Sequence, residues 1–453
     1  MLSKSRILKG KKCVKALWLS RYKREEAVIS EAQESIFQAG TDVGTLAQSY
    51  FPGGILALED DYPNAKTVER TLDLINQGVD VIYEATFVFN QVLVAIDILQ
   101  KTPEGYVIYE VKSTNSTKPE HIQDVAIQYY VLKHLGYSIA DVRVMHFNRD
   151  YKRQGEIEVF KLFTSDSVLD QMEAYQEEIA NRIPELIDIL KGEEPEVEMG
   201  PQCSKPYGCE FMEYCSGLIL EEIEEEIAND MNPDELIVYN KDKIVEFLHE
   251  VQYPLYSFDF ETVMHGVPAY DSSSPYQQIP FQYSLIYKES AESEPIYYDF
   301  IGDGLNDPRE SLIQKMIADF QHGHHALCYH VSFERSRIDE LILDFPQYTD
   351  ELTRIQDQLV DLLPIFRNHY RTNKTAHSAS LKIVLPAYVE GMSYDDLEIS
   401  HGMETSQQYA ELPNITDEVL REKVIENMLI YCRQDTLGVL KLYDFLWQEV
   451  MEG

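Results

Sequence analysis

Asp97, Glu110 and Lys112 lie in the stretch VAIDILQKTPEGYVIYEVKST, residues 94–114. Apolar, β-branched runs at 92–99 and 106–111 flank a polar turn containing glycine, a pattern that predicts a strand hairpin. Residues two apart on a strand share a face, so Glu110 and Lys112 should sit side by side, with Asp97 on the neighbouring strand. Two carboxylates can hold a hard divalent cation through oxygen, and an ammonium beside them can polarise an attacking water or steady a charged transition state. A lone E-x-K is common on surface strands, so its weight comes from the rest of the chain. A second acidic pair, Asp259 and Glu261 in PLYSFDFETV, is two apart on an apolar strand and needs a cation or donors to compensate it. Near the C-terminus, Tyr431 and Asp435 of YCRQD are four apart on a helix expected over 426–445, hence on one face.

Cysteine supplies the other chemistry. Cys203, Cys209 and Cys215 fall in PQCSKPYGCEFMEYCSG, half of the chain's six cysteines. A disulfide framework does not suit a cytosolic chain of this size, and the spacing differs from the C-x2–4-C pairs of structural zinc. Three clustered thiolates and a distant fourth suit an iron–sulfur cluster, with Cys13 of GKKCVKALWL as the expected fourth ligand. Zinc and free thiols stand as the alternatives. Cys328 and Cys432 sit in apolar settings and read as buried fillers, while His324, His325 and His330 read as strand-edge residues rather than a metal cluster.

Positioning these groups calls for sheets backed by helices. Helical spacing covers 66–77 and 120–135, the latter placing Asp124 and Gln128 on one face, and strand-like runs cover 79–89, 142–147 and 157–163. Val168, Met172, Tyr175, Ile179 and Ile183 mark the stripe of a long helix. After a short lead-in helix at 244–251, the strand bearing Asp259 should continue into strands at 279–287 and 295–300. Residues 326–334 read as a strand running into a helix, and 380–385 as the opening of another.

A chain of 453 residues exceeds one ordinary core, so two or three domains are expected. With 44% hydrophobic and 26% charged residues it reads as globular, with no apolar run of the roughly 20 residues a membrane helix needs. The basic N-terminus lacks the apolar core of a secretory signal, so the expected location is cytoplasmic. A net charge of −39 argues against a nonspecific nucleic-acid coat, but not against an enzyme with local basic surface. That locality is visible between Lys4 and Arg24, which carries no acid and reads as a solvated arm or a phosphate-contacting surface. The acidic run at 217–235 reads as a domain boundary.

The Asp, the Glu-x-Lys on the next strand, and one early plus three later cysteines resemble the RecB-like branch of the PD-(D/E)XK nucleases. In particular they resemble the CRISPR-associated exonucleases with an iron–sulfur clasp, over about residues 2–217. The resemblance implies a restriction-endonuclease-like α/β domain over 1–218, with Asp97 and Glu110 holding Mg²⁺ or Mn²⁺ and Lys112 assisting the water. It matches Glu84 to an acid one strand earlier, puts Gln128 beside the site, and leaves Gln48 where the family often carries a metal-binding His. A 4Fe–4S cluster on Cys13, Cys203, Cys209 and Cys215 would pin the ends of this domain together.

After an acidic linker and lead-in helix at 219–250, the order D-x-E, an acid following a strand and Phe, then Y-x3-D is similar to the DEDD 3′–5′ exonucleases in their Tyr-containing variant. This second resemblance implies an RNase H-like α/β domain over 251–453, in which Asp259, Glu261, Glu334 and Asp435 hold two metals about 4 Å apart. Tyr431 would orient the attacking water. Glu334 stands where the family usually has Asp, with Asp339 the alternative, and Asp361 and Lys382 are read as supporting residues. Together the resemblances imply a metal-dependent nuclease acting on DNA, single-stranded or at frayed ends. An RNA-processing exoribonuclease and a nucleic-acid-binding scaffold with decayed sites are the rival readings.

Overall fold

The strand hairpin around Asp97 lies at the centre of the first of two compact units, Met1–Glu225 with Gly266–Tyr276; the second is Glu226–His265 with Gln277–Gly453. The computed structural model describes residues 1–28, 31–60, 62–205, 208–217, 232–321, 324–376, 378–394, 397–399 and 401–452, with backbone alone for 31–39 and 452. It is a mixed α/β structure throughout. Most of the acidic run lies outside the described residues. From Leu236–Tyr239 onward, the stretch read as a linker is part of the second unit.

The first unit is built on a mixed sheet of β1 (Leu2–Ser3), β2 (Ile55–Leu56), β3 (Val81–Phe89), β4 (Val92–Thr102), β5 (Gly105–Val111), β6 (Ile139–Phe147) and β7 (Phe163–Ser167). Its order is β2-β3-β4-β5-β6-β7, with β1 alongside β4. Alternation makes the sheet one-sided along β4: Val92, Val94, Ile96 and Ile98 are buried, which turns Asp97 to the other face. Asn90 and Gln91 close the β3–β4 turn with φ of 46° and 64°, the left-handed pair a tight hairpin needs. At the β4–β5 turn Gly105 has φ 139°, and a Cβ there would lie 2.4 Å from the Ser138 carbonyl oxygen. β5 and β6 run parallel, joined through the helix Pro119–His134, whose apolar side adds Val125, Ile127, Val131 and Leu132 to the core.

The expected strand at 157–163 is instead a turn of helix, Val159–Leu162, followed by β7. Leu162 is buried while Phe160 is exposed and meets the Tyr50 ring, so the short apolar run does not alternate as a strand would.

In the second unit, β9 (Leu255–Met264), β10 (Gln278–Lys288), β11 (Ile296–Ile301), β12 (Ala326–Cys328) and β13 (Leu359–Asp361) form a sheet of order β11-β10-β9-β12-β13. The first three are antiparallel, and β12 and β13 continue parallel to β9. A separate pair joins β8 (Leu236–Tyr239) to β14 (Tyr370–Thr372). The long helix Glu418–Trp447 starts earlier than the expected 426, where the Asp417 carboxylate accepts from the amides of Val419 at 2.9 Å and Leu420 at 3.1 Å.

Candidate metal centres

The first cluster gathers on the polar face of β3–β5. Asp97 Oδ2 accepts from the Val111 amide at 2.6 Å, where β4 and β5 diverge. Glu84 sits across from it with φ 54°, in the gap between the pairs Tyr83–Ile98 and Ala85–Ile96, which keep one register. Glu110, only 2% exposed, accepts on Oε1 from Lys112 Nζ at 2.6 Å and Lys4 Nζ at 2.7 Å, and on Oε2 from Gln128 Nε2 at 2.5 Å. Gln128 also donates to the Ala95 carbonyl at 3.0 Å. Asp124, one helical turn before Gln128, pairs with Lys112 and, at 3.0 Å, with Lys4. Lys112 lies just past β5, its amide donating to the Met145 carbonyl at 2.8 Å.

Charge in this cluster is unevenly shared. Burial would raise the Glu110 carboxyl, yet the ammoniums of Lys112 and Lys4 hold it well below the usual range. Burial and the Glu110 charge push Asp97 well up and Glu84 up to about 7. Burial opposes the charge on both lysines, but the surrounding carboxylates keep each firmly protonated. Lys112 is thus held as an ammonium between Glu110 and Asp124. The Gln48 carbonyl accepts from the Tyr83 hydroxyl at 3.1 Å.

Cys13, Cys203, Cys209 and Cys215 line one cavity together with Ala16, Met199 and Phe211. None forms a disulfide. Cys13 caps two successive helices, and the Cys209 amide donates to the Cys203 carbonyl at 2.8 Å, so the loop turns its thiols inward. Burial raises the thiols of Cys209 and Cys215, which also feel the other cysteines of the group. No three of these sulfurs lie within 4.8 Å of one another. Tetrahedral zinc at its usual bond length brings thiolates to about 3.8 Å apart, whereas a cluster of several irons spans a wider set. Four cysteines around one cavity form a donor set that suits a thiolate-bound metal group, iron–sulfur or zinc.

The second cluster gathers at β9. Asp259 and Glu261 come from that strand, Glu334 from the first turn of the helix Ser332–Asp344, and Tyr431 and Asp435 from the helix Glu418–Trp447. The Asp259 and Glu334 carboxyls lie close enough for each to shift the ionisation of the other. Burial and the neighbouring acids hold Asp259 and Glu261 well above the carboxylate range. Burial takes Glu334 up to about 8, and takes Asp435 up to about 6 against the opposing pull of Tyr394, Lys382 and Tyr431. Glu334 Oε2 is buried without a hydrogen-bond partner. Asp259, Glu261 and Cys432 can offer ligand atoms within 4.8 Å of one another. Such mutual repulsion and an orphaned carboxylate oxygen are what a divalent cation would relieve, so the residues fit a metal.

Around that cluster the structure brings up groups of other kinds. Lys382 Nζ stands 5.3 Å from the Tyr431 ring centroid, 5.5 Å from that of Tyr394 and 3.0 Å from His401 Nδ1. Tyr394 donates its hydroxyl to Asp435 Oδ1. Burial and the nearby carboxylates keep the Tyr431 hydroxyl protonated. Cys432, read as a filler, is buried but lies 3.8 Å from Asp259 Oδ2. Asp339 accepts from Gln356 at 2.8 Å on the exposed side of its helix, whereas Glu334 of the same helix is buried. Asp361 accepts from the amides of His330 and Leu363, each at 3.0 Å, and so shapes a turn. His324 stacks on Tyr287, and the histidines form no metal cluster among the described residues.

Sequence reasoning missed Lys4 as a site residue, and it missed Tyr394 altogether. Both arrive from distant segments by tertiary packing, and the only advance sign was Lys4's place in the acid-free basic start.

Residues 256–380, most of which belong to the second unit, match a family described as "Domain of unknown function (DUF2779)". An "Uncharacterized protein MG366 homolog" of Mycoplasma pneumoniae (strain ATCC 29342 / M129 / Subtype 1) is 26% identical over 213 residues, covering 42% of this chain and 31% of the relative. An "Uncharacterized protein MG366" of Mycoplasma genitalium (strain ATCC 33530 / DSM 19775 / NCTC 10195 / G37) is 25% identical with the same coverage. The match thus spans about a third of the length of these curated relatives.

Proposed function

We propose that the chain is a divalent-metal-dependent nuclease with two hydrolytic centres. One is RecB-like, of the PD-(D/E)XK type, at Asp97, Glu110 and Lys112; the other is a 3′–5′ exonuclease of the Tyr-containing DEDD type. The observation that carries the reading is the second cluster. Burial raises all four carboxylates from β9 and two helices, the neighbouring acids raise Asp259 and Glu261 further, and Glu334 keeps a buried oxygen without a donor. Perturbed acids gathered in this way mark functional sites. The sheet order β11-β10-β9-β12-β13 supports an RNase H-like reading, with Asp259 and Glu261 on the central strand. Bound Mg²⁺ or Mn²⁺ would neutralise the scissile phosphate, activate water and stabilise the leaving 3′-oxygen.

The chain's own groups then have defined tasks. Asp259, Glu261, Glu334 and Asp435 supply hard oxygen ligands. Tyr431, held neutral, can orient a water but not deprotonate it. Lys382, over the two tyrosine rings, can meet a substrate phosphate. At the first centre Asp97 and Glu110 supply ligands, Lys112 a fixed positive charge, and Gln128 fixes the Glu110 carboxylate. The four-cysteine cavity supports a 4Fe–4S cluster with a structural role, tying the start of the chain to the segment around Cys209. The preferred substrate is a separated DNA strand.

The test uses 5′-labelled single-stranded DNA and, in parallel, RNA, with Mg²⁺ or Mn²⁺. The wild type should shorten DNA stepwise from the 3′ end. Asp259→Asn should slow that ladder by about a hundredfold or more, the usual scale for losing a transition-state charge partner, while Lys112→Ala leaves it in place. Stepwise loss from RNA alone would move the substrate to RNA. Binding without cleavage of either polymer would leave a scaffold and overturn the reading.

A further inference from the structure

The first cluster contains a second lysine that the hydrolytic reading does not require. Lys4 Nζ lies 2.7 Å from Glu110 Oε1 and 3.0 Å from Asp124 Oδ1, with its side chain one-fifth exposed. Its placement is built rather than incidental. Leu2 donates its amide to the Gln91 carbonyl at 2.8 Å, and β1 pairs parallel with β4 beside the site strands. Ser3 then caps the helix Lys4–Lys12, its hydroxyl accepting from the Arg6 amide, so Lys4 opens the helix at the point where the strand stops. The far end of the same helix is held at Cys13, and Gly10 lets it close on Leu186, since a Cβ there would lie 2.6 Å from that side chain.

Charge within the cluster supplies the argument. Glu84, Asp97, Glu110 and Asp124 face two ammoniums, Lys4 and Lys112. With every acid ionised, two negative charges stay uncompensated, which is the charge of one divalent ion. The compensation is lopsided. Both lysines form their ion pairs with Glu110 and Asp124, while Asp97 accepts from the Val111 amide on the other side of the cluster. The vacant charge therefore lies on the Asp97–Glu84 side.

We propose that Lys4 is a built-in cation of the first centre, standing on the Glu110–Asp124 side where a second metal would otherwise be drawn, so that this centre takes a single divalent ion. The proposal rests on reading the cluster as a metal centre, and its test separates the two. Full-length protein carrying Asp259→Asn, Glu261→Gln and Asp435→Asn is titrated with Mn²⁺, and free Mn²⁺ is counted by its room-temperature EPR signal.

With Lys4 present, one tight ion should bind, and Asp97→Asn should abolish it. If Asp97→Asn changes nothing, the metal-centre reading fails. Lys4→Met should bind a second tight Mn²⁺, or the same one at least tenfold more tightly, while Lys4→Arg stays at one. Unchanged stoichiometry and affinity in Lys4→Met, or loss of binding with the melting temperature preserved, would overturn the role of Lys4. Should Lys4→Met fail to fold, Lys4→Gln carries the same readout.

Discussion

Glu334 shows most plainly how a side chain can be shaped for a charge it does not itself hold. It is 2% exposed, one carboxylate oxygen lacks a donor, and burial with the Asp361 charge takes it up to about 8. An unfolded glutamate ionises near pH 4.3, so the folded protein binds this proton more tightly than the unfolded chain does. The linkage sign follows: the group penalises the metal-free fold progressively as pH rises from about 4 towards 8, by up to about 1.4 kcal/mol per pH unit. Asp435 adds a similar penalty between about 4 and 6. Glu334→Gln should therefore raise the metal-free melting temperature at pH 8 but not at pH 4, and cut exonuclease turnover by about a hundredfold or more. Mg²⁺ should stabilise the wild type more at pH 8 than at pH 5. Thermal melts across pH check this, and a variant that melts like the wild type at pH 8 would contradict it. At this scale the sequence was readable where chemistry is local. Asp97, Glu110 and Lys112 lie within one hairpin and its exit, and Asp259 and Glu261 within one strand, where a period of two decides the face. Lys4 and Tyr394 carry no local signal, because their partners are more than a hundred and about forty residues away respectively.

Helices decide whether those side chains meet. The helix Glu418–Trp447 presents Tyr431 and Asp435 from consecutive turns and packs Gly438 against the helix Leu381–Tyr388, which carries Lys382. A Cβ at Gly438 would lie 2.5 Å from Leu385 Cδ2, so the two helices approach only because no side chain intervenes. Gly438→Ala should cost about 1–3 kcal/mol as overpacking, lower the melting temperature by several degrees, and slow the exonuclease by shifting Lys382 against Asp435. Unchanged melting and rate would show that the contact gives way without consequence. Element boundaries were less readable than element types. A helix was expected over 426–445, but its start is set by the Asp417 cap, a hydrogen bond that periodicity does not reveal. At 157–163 a short apolar run was equally compatible with strand and helix, and the burial of Leu162 with exposure of Phe160 decided for helix.

Over the whole molecule, each unit carries a complete cluster: Lys4, Asp97, Glu110, Lys112 and Asp124 in one, Asp259, Glu261, Glu334, Tyr431 and Asp435 in the other. A net charge of −39 makes a nonspecific grip on nucleic acid unfavourable, so the proposed function requires local cations such as Lys382 to meet phosphates. No helix among the described residues is long and apolar enough to cross a membrane. The central claim, that both acid clusters are metal centres and the cysteines hold iron, is tested most directly by anomalous diffraction. Crystals of anaerobically purified protein soaked in Mn²⁺ would be measured at the manganese and iron edges. The account predicts manganese peaks among Asp259, Glu261, Glu334 and Asp435, one beside Asp97 and Glu110, and iron density between Cys13, Cys203, Cys209 and Cys215. Manganese absent from both acid clusters, with Glu334 still unpartnered, would contradict it.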